Sequence, residues 1–203
     1  MSQTRNVAIL IFDDVEVLDF CGPFEVFGVT GVNDPVKPFH VYTVAEKDGP
    51  VIARNNLSIN PNHTIHDGPK PDIILVPGGM GTRREMHNPV LTEWIRQQNT
   101  QTEMTLSVCT GSLMLATAGV IDGLSATTHR GAIDLLKEIA PRTSVQENVR
   151  YVDNGRVITS AGISAGIDMS LHVVARLLGP AVAAATAYHM QYDYWQPAET
   201  EAP

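Results

Sequence analysis

The amino-acid sequence predicts an α/β protein, a three-layer α/β/α sandwich built on a mostly parallel sheet. Three observations lead there. Short apolar runs rich in β-branched residues alternate with helix-like segments along the chain. Such alternation implies parallel strands covered by helices on both faces. A small-x-Cys-x-Gly motif, Ser107-Val108-Cys109-Thr110-Gly111, falls where a strand hands over to a helix, as a nucleophile elbow does. Hydrophobic residues make up 43% of the 203 positions, with Gly and Pro spread throughout, which fits a sizeable core and argues against disorder. A single domain over residues 1–203 is expected.

The elements follow in order. Val7–Phe12 (VAILIF) predicts a buried strand, and Leu18–Gly28 a helix with Pro23 near its start. Phe39–Ala45 predicts a second strand, and Val51–Asn60 one or two more, broken by Pro61. Asp72–Val76 predicts another buried strand, ended by Pro77-Gly78-Gly79. Pro89–Gln98 has the spacing of an amphipathic helix, with Val90, Trp94 and Ile95 facing inward. Thr105–Val108 predicts a strand, Ser112–Ala118 a short helix stopped by Gly119, and Ala132–Ile139 a helix closed by Pro141. Tyr151-Val152 and Val157-Ile158-Thr159 flank Asp153-Asn154-Gly155-Arg156, the pattern of a hairpin with a tight Asn-Gly turn. Ile163–Leu178 and Ala181–Tyr194 predict two closing helices separated by Gly179-Pro180.

Composition narrows the function. The formal net charge is −8 and no Lys/Arg block occurs, so neither nucleic acid nor an anionic membrane is an expected partner. The first apolar stretch is closed by Asp13-Asp14, too early for a signal peptide, and no apolar run reaches the roughly 18 residues of a membrane span. Cys21 and Cys109 share no CxxC spacing, and thiols in a cytoplasmic protein are expected. His63 and His66 form an HxxH in a loop, too little for a metal site, so neither metal nor cofactor is expected.

In a parallel sheet of this kind, ligands bind at the carboxyl ends of the strands, which selects the loops after Phe12, Val76 and Val108. Cys109 is the candidate nucleophile: the elbow exposes its side chain, Gly111 lets the backbone pass closely, and the helix start favours thiolate. Gly78 and Gly79 are positioned to offer N–H groups as an oxyanion hole. Asp19 is expected across the crevice, sharing a proton with Cys109, although a helix N-cap would serve an Asp equally well. Glu16 and Glu25 are rival carboxylates. His129 follows a short strand and is a candidate base or substrate-binding group. His172 and His189 have the positions of core or surface residues, Cys21 that of a packed bystander, and Arg83-Arg84 that of a solvated pair. The aromatic tail Tyr188–Trp195 is expected to cap the pocket or a subunit interface.

Taken together, Leu18-Asp19-x-x-Gly22-Pro23, Pro77-Gly78-Gly79, Ser107–Ser112, Ala126-Thr127-Thr128-His129 and Ser160–Asp168 resemble the ThiJ/PfpI superfamily, in the right order over nearly the whole chain. The resemblance implies a flavodoxin-like sandwich related to the class I glutamine amidotransferases. It is strongest to the isonitrile hydratases, homodimers that add water to an isocyanide to give an N-formamide. Asp19, Gly22-Pro23, Cys109-Thr110-Gly111 and Gln191-Tyr192-Asp193-Tyr194 match their pattern. This implies a small-molecule substrate, Cys109 as nucleophile, Asp19 as acid/base and Thr110 as a supporting polar group. Tyr194-Trp195-Gln196-Pro197 departs from their ending, which bears on pocket shape. Alternative activities in the superfamily are amide or peptide hydrolysis and conversion of methylglyoxal-like aldehydes, both of which want a histidine beside the cysteine. A non-enzymatic cysteine oxidation sensor is a further alternative. Regulators that fuse such a domain to a DNA-binding helix pair are also relatives, and this chain is expected to carry no such pair.

Overall fold

In the computed structural model, which describes residues 4–195, the first apolar run becomes an inner strand of a seven-stranded sheet. In chain order the elements are β1 (Arg5–Leu10), α1 (Val17–Val29), β2 (Phe39–Ala45), β3 (Val51–Ile52), β4 (Ser58–Ile59), β5 (His63–Thr64), β6 (Ile73–Val76), α2 (Thr82–Glu85) and α3 (Pro89–Gln101). They continue with β7 (Met104–Ser107), α4 (Gly111–Thr117), β8 (Ser125–Ala126), α5 (Ile133–Ile139), β9 (Ser144–Val145), β10 (Tyr151–Asp153), β11 (Val157–Ser160), α6 (Ala165–Leu178) and α7 (Pro180–His189).

The main sheet has the order β10-β11-β7-β6-β1-β2-β5, parallel throughout except for the β10–β11 hairpin. Its central strands read as unbroken apolar runs because both faces are covered: Ile9, Leu10, Ile73, Ile74, Leu75 and Leu106 are fully buried. Helices α1, α6 and α7 pack together as one layer, and α3, α4 and α5 as the other. The chain lays β2 on one side of β1 and β6 on the other, so a crevice opens between β1 and β6 at their carboxyl ends. The ends of β1, β6, β7 and β11 therefore lie side by side.

Several boundaries differ from the sequence expectation, each for a local reason. β1 stops at Leu10, where the Ile11 N–H makes a last bond to Val44 O before the chain turns through Asp14 in the left-handed region (φ 62°). Residues 51–60 form the small antiparallel ribbon β3–β4 outside the main sheet. His63–Thr64 is an edge strand rather than loop, and α2 is a single helical turn; both are too short to show a periodicity. In α3 the inward residues are Leu91, Trp94 and Ile95, while Val90 is exposed. The Asn88 side chain caps the Val90 N–H at the exposed start of the helix. Ile163 lies outside α6, and α7 ends at His189, after which Gln191 takes a left-handed conformation (φ 52°) and Tyr192 N–H returns to Ala187 O. The hairpin turn at Gly155 (φ 83°) is as expected. Among the described residues, no helix is long and apolar enough to cross a membrane.

The elbow is locked to the sheet at Gly111, where a Cβ would lie 2.0 Å from Val76 O. Gly28, inside α1, has nothing within 4 Å of the equivalent position. Gly111→Ala is expected to lose about 1–3 kcal/mol or more through forced backbone displacement, whereas Gly28→Ala is expected to gain about 0.5–1 kcal/mol. Urea midpoints of the two variants check both signs; a tolerated Gly111→Ala would disprove the tight elbow contact.

Candidate active site

Cys109 sits immediately past β7 with φ 56°, a left-handed conformation that costs a non-glycine residue roughly 1–2 kcal/mol. Its surroundings hold it there. The Cys109 N–H donates to Ser160 O and Ala161 O at 3.2 and 3.1 Å, at the end of β11. Its carbonyl accepts the Thr128 hydroxyl at 3.0 Å and the Ser112 hydroxyl at 3.2 Å. The backbone N–H groups of Thr110 and Ile163 are directed at the sulfur and favour thiolate.

Asp19 reaches the same place from α1. It is not an N-cap: Glu16 occupies that position, and Asp19 lies one turn inside the helix. Glu16 N–H donates to Gly78 O at 2.9 Å, and Val15 bridges Gly79, so the start of α1 is pinned to the loop after β6. Asp19 is 0% exposed, its Oδ2 accepts the Gly78 N–H at 2.9 Å, and its Oδ1 has no hydrogen-bond partner. The Cys109 thiol is its neighbour. Burial pushes the Asp19 carboxyl up to about 7, opposed by the Gly78 N–H and the thiol and assisted by the Glu16 charge.

Cys109 is 5% exposed, and burial followed by the Asp19 charge pushes its thiol up to about 12. The helix start is expected to favour thiolate, and here that effect is outweighed. Two N–H groups and a seven-residue helix do not outweigh burial beside a carboxylate. Above about pH 7 the pair carries one negative charge and one proton.

The glycine pair is placed as expected, yet its donors are engaged. Gly78 N–H holds Asp19 and Gly79 N–H donates to Thr110 Oγ1 at 3.0 Å, so neither is an open oxyanion donor. Gly78 is needed for space: a Cβ there would meet Thr110 N at 2.5 Å and Asp19 Oδ2 at 2.8 Å. Thr110 is thus a bracket between the elbow and the glycine loop, with the Thr82 hydroxyl 3.1 Å away. Arg83 reaches the Gly79 carbonyl at 3.3 Å, while Arg84 is tied to Asp13 O, Glu85 and Asp14.

The other candidates sort by position. Glu25 is exposed, and Glu16 faces Arg54. His129 does not bond to Cys109; its Nδ1 accepts the Gly131 N–H at 3.1 Å, which in the neutral ring leaves the proton on Nε2. The His129 ring edge lies against the Cα of Gly162. Cys21 is exposed on α1. His63 packs edge-on against Tyr42, His172 bonds Asp153 at 2.7 Å, and His189 is exposed. In the tail, Tyr188 and Tyr194 are exposed and Tyr192 donates to Asp168 at 3.0 Å; Gln196-Pro197 lies outside the described residues. The sequence reading missed Thr82, Ser112, Thr128 and Ile163. Ile163, β-branched with φ 52°, is the strongest backbone outlier of the site, and no residue pattern announces it.

Comparison with known proteins places these features in context. A model described as the DJ-1/PfpI family matches residues 5–176. Isonitrile hydratase of Pseudomonas putida is 32% identical over 98% of this chain and 83% of its own. The HTH-type transcriptional regulator CdhR of Pseudomonas aeruginosa is 33% identical over 79% of this chain, which covers 49% of the regulator. A crystal structure of a THiJ/PfpI family protein from Pseudomonas syringae superposes with a TM-score of 0.85 at 27% identity, covering 98% of this chain and 80% of that one.

The raised carboxyl makes a stability prediction. Asp19 titrates near 7 when folded and near its ordinary 3.8 when unfolded, so the folded state holds the proton more tightly. Its contribution is fully present below about pH 4 and is lost as pH rises towards 7, at about 1.4 kcal/mol per unit. Urea unfolding from pH 4.5 to 8 is expected to show this loss in the wild type and not in Asp19→Asn. Parallel curves for the two proteins would contradict the raised carboxyl.

Proposed function

Since the chain belongs to the DJ-1/PfpI family, we propose that it is a cysteine-dependent enzyme that adds water to an isocyanide and releases an N-substituted formamide. The observation that carries this reading is the buried Asp19 carboxyl beside Cys109, with one oxygen held by Gly78 and the other unpartnered. The reaction needs a nucleophile and a single proton moved between sulfur, substrate carbon and water, and this pair holds that proton.

Cys109 sulfur attacks the terminal isocyanide carbon as Asp19 takes the thiol proton. The S–C bond forms, the carbon lone pair accepts the proton from Asp19, and a thioimidate, R–N=CH–S–Cys109, results. Asp19, again a carboxylate, then takes a proton from water as the water oxygen adds to the same carbon. Asp19 passes that proton to the nitrogen. The C–S bond then breaks as the hydroxyl becomes the formyl oxygen, its proton returns through Asp19 to the departing sulfur, and R–NH–CHO leaves with the cysteine thiol restored. Dividing hydration into two steps lowers each barrier, and Asp19 supplies positioned proton transfer in both. The strained elbow presents the sulfur, and the Thr110 and Ile163 N–H groups stabilise it when it leaves.

Histidine-dependent hydrolysis and aldehyde conversion fit less well, because His129 Nδ1 is committed to Gly131. An oxidation sensor fits less well too, because burial and Asp19 keep the resting thiol protonated. The test is formamide production from cyclohexyl isocyanide. Cys109→Ala is expected to abolish turnover, and Asp19→Asn to lower kcat by about 10²–10⁴-fold. Full turnover by Cys109→Ala would end the proposal.

A further inference from the structure

Two segments that hold the cysteine elbow also touch each other. The Thr128 hydroxyl donates to the Cys109 carbonyl at 3.0 Å, and Ala161 O accepts the Cys109 N–H at 3.1 Å. His129 follows Thr128, Gly162 follows Ala161, and these two meet. A Cβ on Gly162 would lie 2.3 Å from Cδ2 of the His129 ring and 3.3 Å from its Nε2. The contact closes a circuit of neighbours that begins and ends at Cys109, because the next residue, Ile163, directs its N–H at the sulfur.

Both sides of this contact are fixed. The Gly131 N–H donates to His129 Nδ1 at 3.1 Å and sets the plane of the ring, and a Cβ on Gly131 would itself lie 3.3 Å from that nitrogen. The half-buried imidazole is therefore seated between two glycines. Gly162 does not have a positive φ, so it is the ring, and not the backbone conformation, that demands a residue without Cβ there. Ile163 is the opposite case. Its φ of 52° is unfavourable for a β-branched side chain, and such a conformation persists only where the surroundings over-determine it. Downstream, Ile163 O accepts the Gly166 N–H at 3.1 Å, and Gly166 is seated on Val108. Upstream, Ala161 N–H donates to Arg150 O at 2.9 Å, and Gly162 backs onto the His129 ring.

We infer that His129 is a positioning residue: its ring edge, packed on Gly162, holds the backbone of residues 161–163 so that the Ile163 N–H stays on the sulfur. The ring transfers no proton in this role; the site uses its shape rather than its basicity. A thiolate that forms during reaction is stabilised by an N–H aimed at it. A segment that slips back from Cys109 therefore leaves a less reactive sulfur. The inference concerns the thiol itself and goes beyond the hydratase reading, since it holds for any electrophile that Cys109 attacks.

The test is the rate at which iodoacetamide, a small uncharged electrophile, alkylates Cys109 at one alkaline pH. Mass spectrometry of the Cys109 peptide separates this reaction from that of the exposed Cys21, and no turnover is required. His129→Asn keeps an acceptor for the Gly131 N–H but removes the ring, and is expected to slow alkylation by about tenfold. His129→Phe keeps the ring edge and loses the acceptor, and is expected to react much as the wild type. Gly162→Ala forces a methyl group into the ring, and is expected to slow the wild type but to add little in the His129→Asn background. Loss of fold does not mimic these results, because an unfolded chain exposes its thiol and reacts faster. A wild-type or faster rate in His129→Asn overturns the inference. So does a slowing in His129→Phe equal to that in His129→Asn, or an effect of Gly162→Ala that is the same in both backgrounds.

Discussion

A carboxyl group and a thiol buried against one another constrain everything else at the carboxyl edge of this sheet. Neither Asp19 nor Cys109 has enough water around it to be charged cheaply, and each makes the other's charge more costly. The result is a pair that titrates as one unit and keeps a proton available across neutral pH. An unpartnered buried carboxyl oxygen costs roughly 1–3 kcal/mol, a cost the fold bears at Asp19 Oδ1. Unsatisfied groups of this kind call for a functional reason, and the proposed hydration, in which Asp19 moves a proton, supplies one.

The fold keeps the pair together by converging four adjacent strand ends. β1 leads to α1 and Asp19, β6 to the Gly78 donor, β7 to the strained cysteine, and β11 to the carbonyls and the Ile163 N–H that flank it. Close backbone approaches make the arrangement stiff. A Cβ on Gly111 would collide with Val76 O, and one on Gly166 would meet the Val108 methyls at 2.9 Å, so α4 and α6 are both seated directly on the strand ends. Two non-glycine residues, Cys109 and Ile163, sit in left-handed backbone on either side of the sulfur, and the hydroxyls of Thr128 and Ser112 brace the first of them. Strain held by the surrounding structure is a familiar feature of catalytic sites.

Much of this is legible in the residues. Buried parallel strands announce themselves as apolar runs, and the elbow announces itself by small residues around Cys109 at a strand-to-helix junction. The meeting of Asp19 with Cys109 follows from the rule that strand carboxyl ends share one crevice. What the sequence hides is how each donor is allotted. Nothing in Pro77-Gly78-Gly79 reveals that one N–H is committed to Asp19 and the other to Thr110, because those partners come from the segments that follow other strands, α1 and the start of α4. The raised thiol is hidden for a related reason: the helix start is a local signal that favours thiolate, whereas burial is a property of the whole fold. The inward face of α3 is chosen by packing, with Leu91 rather than Val90 buried beside Trp94 and Ile95, and His63–Thr64 is a strand only because β2 offers it an edge.

The central claim is that Asp19 holds its proton to near neutrality because it is buried with Cys109. The direct measurement is the pH titration of the Asp19 carboxyl carbon by NMR in protein labelled at aspartate Cγ, assigned with Asp19→Asn. The account predicts a midpoint near 7. A midpoint near the ordinary carboxylate value of about 4 would contradict it, leaving an ionised bystander beside a thiol with no proton donor.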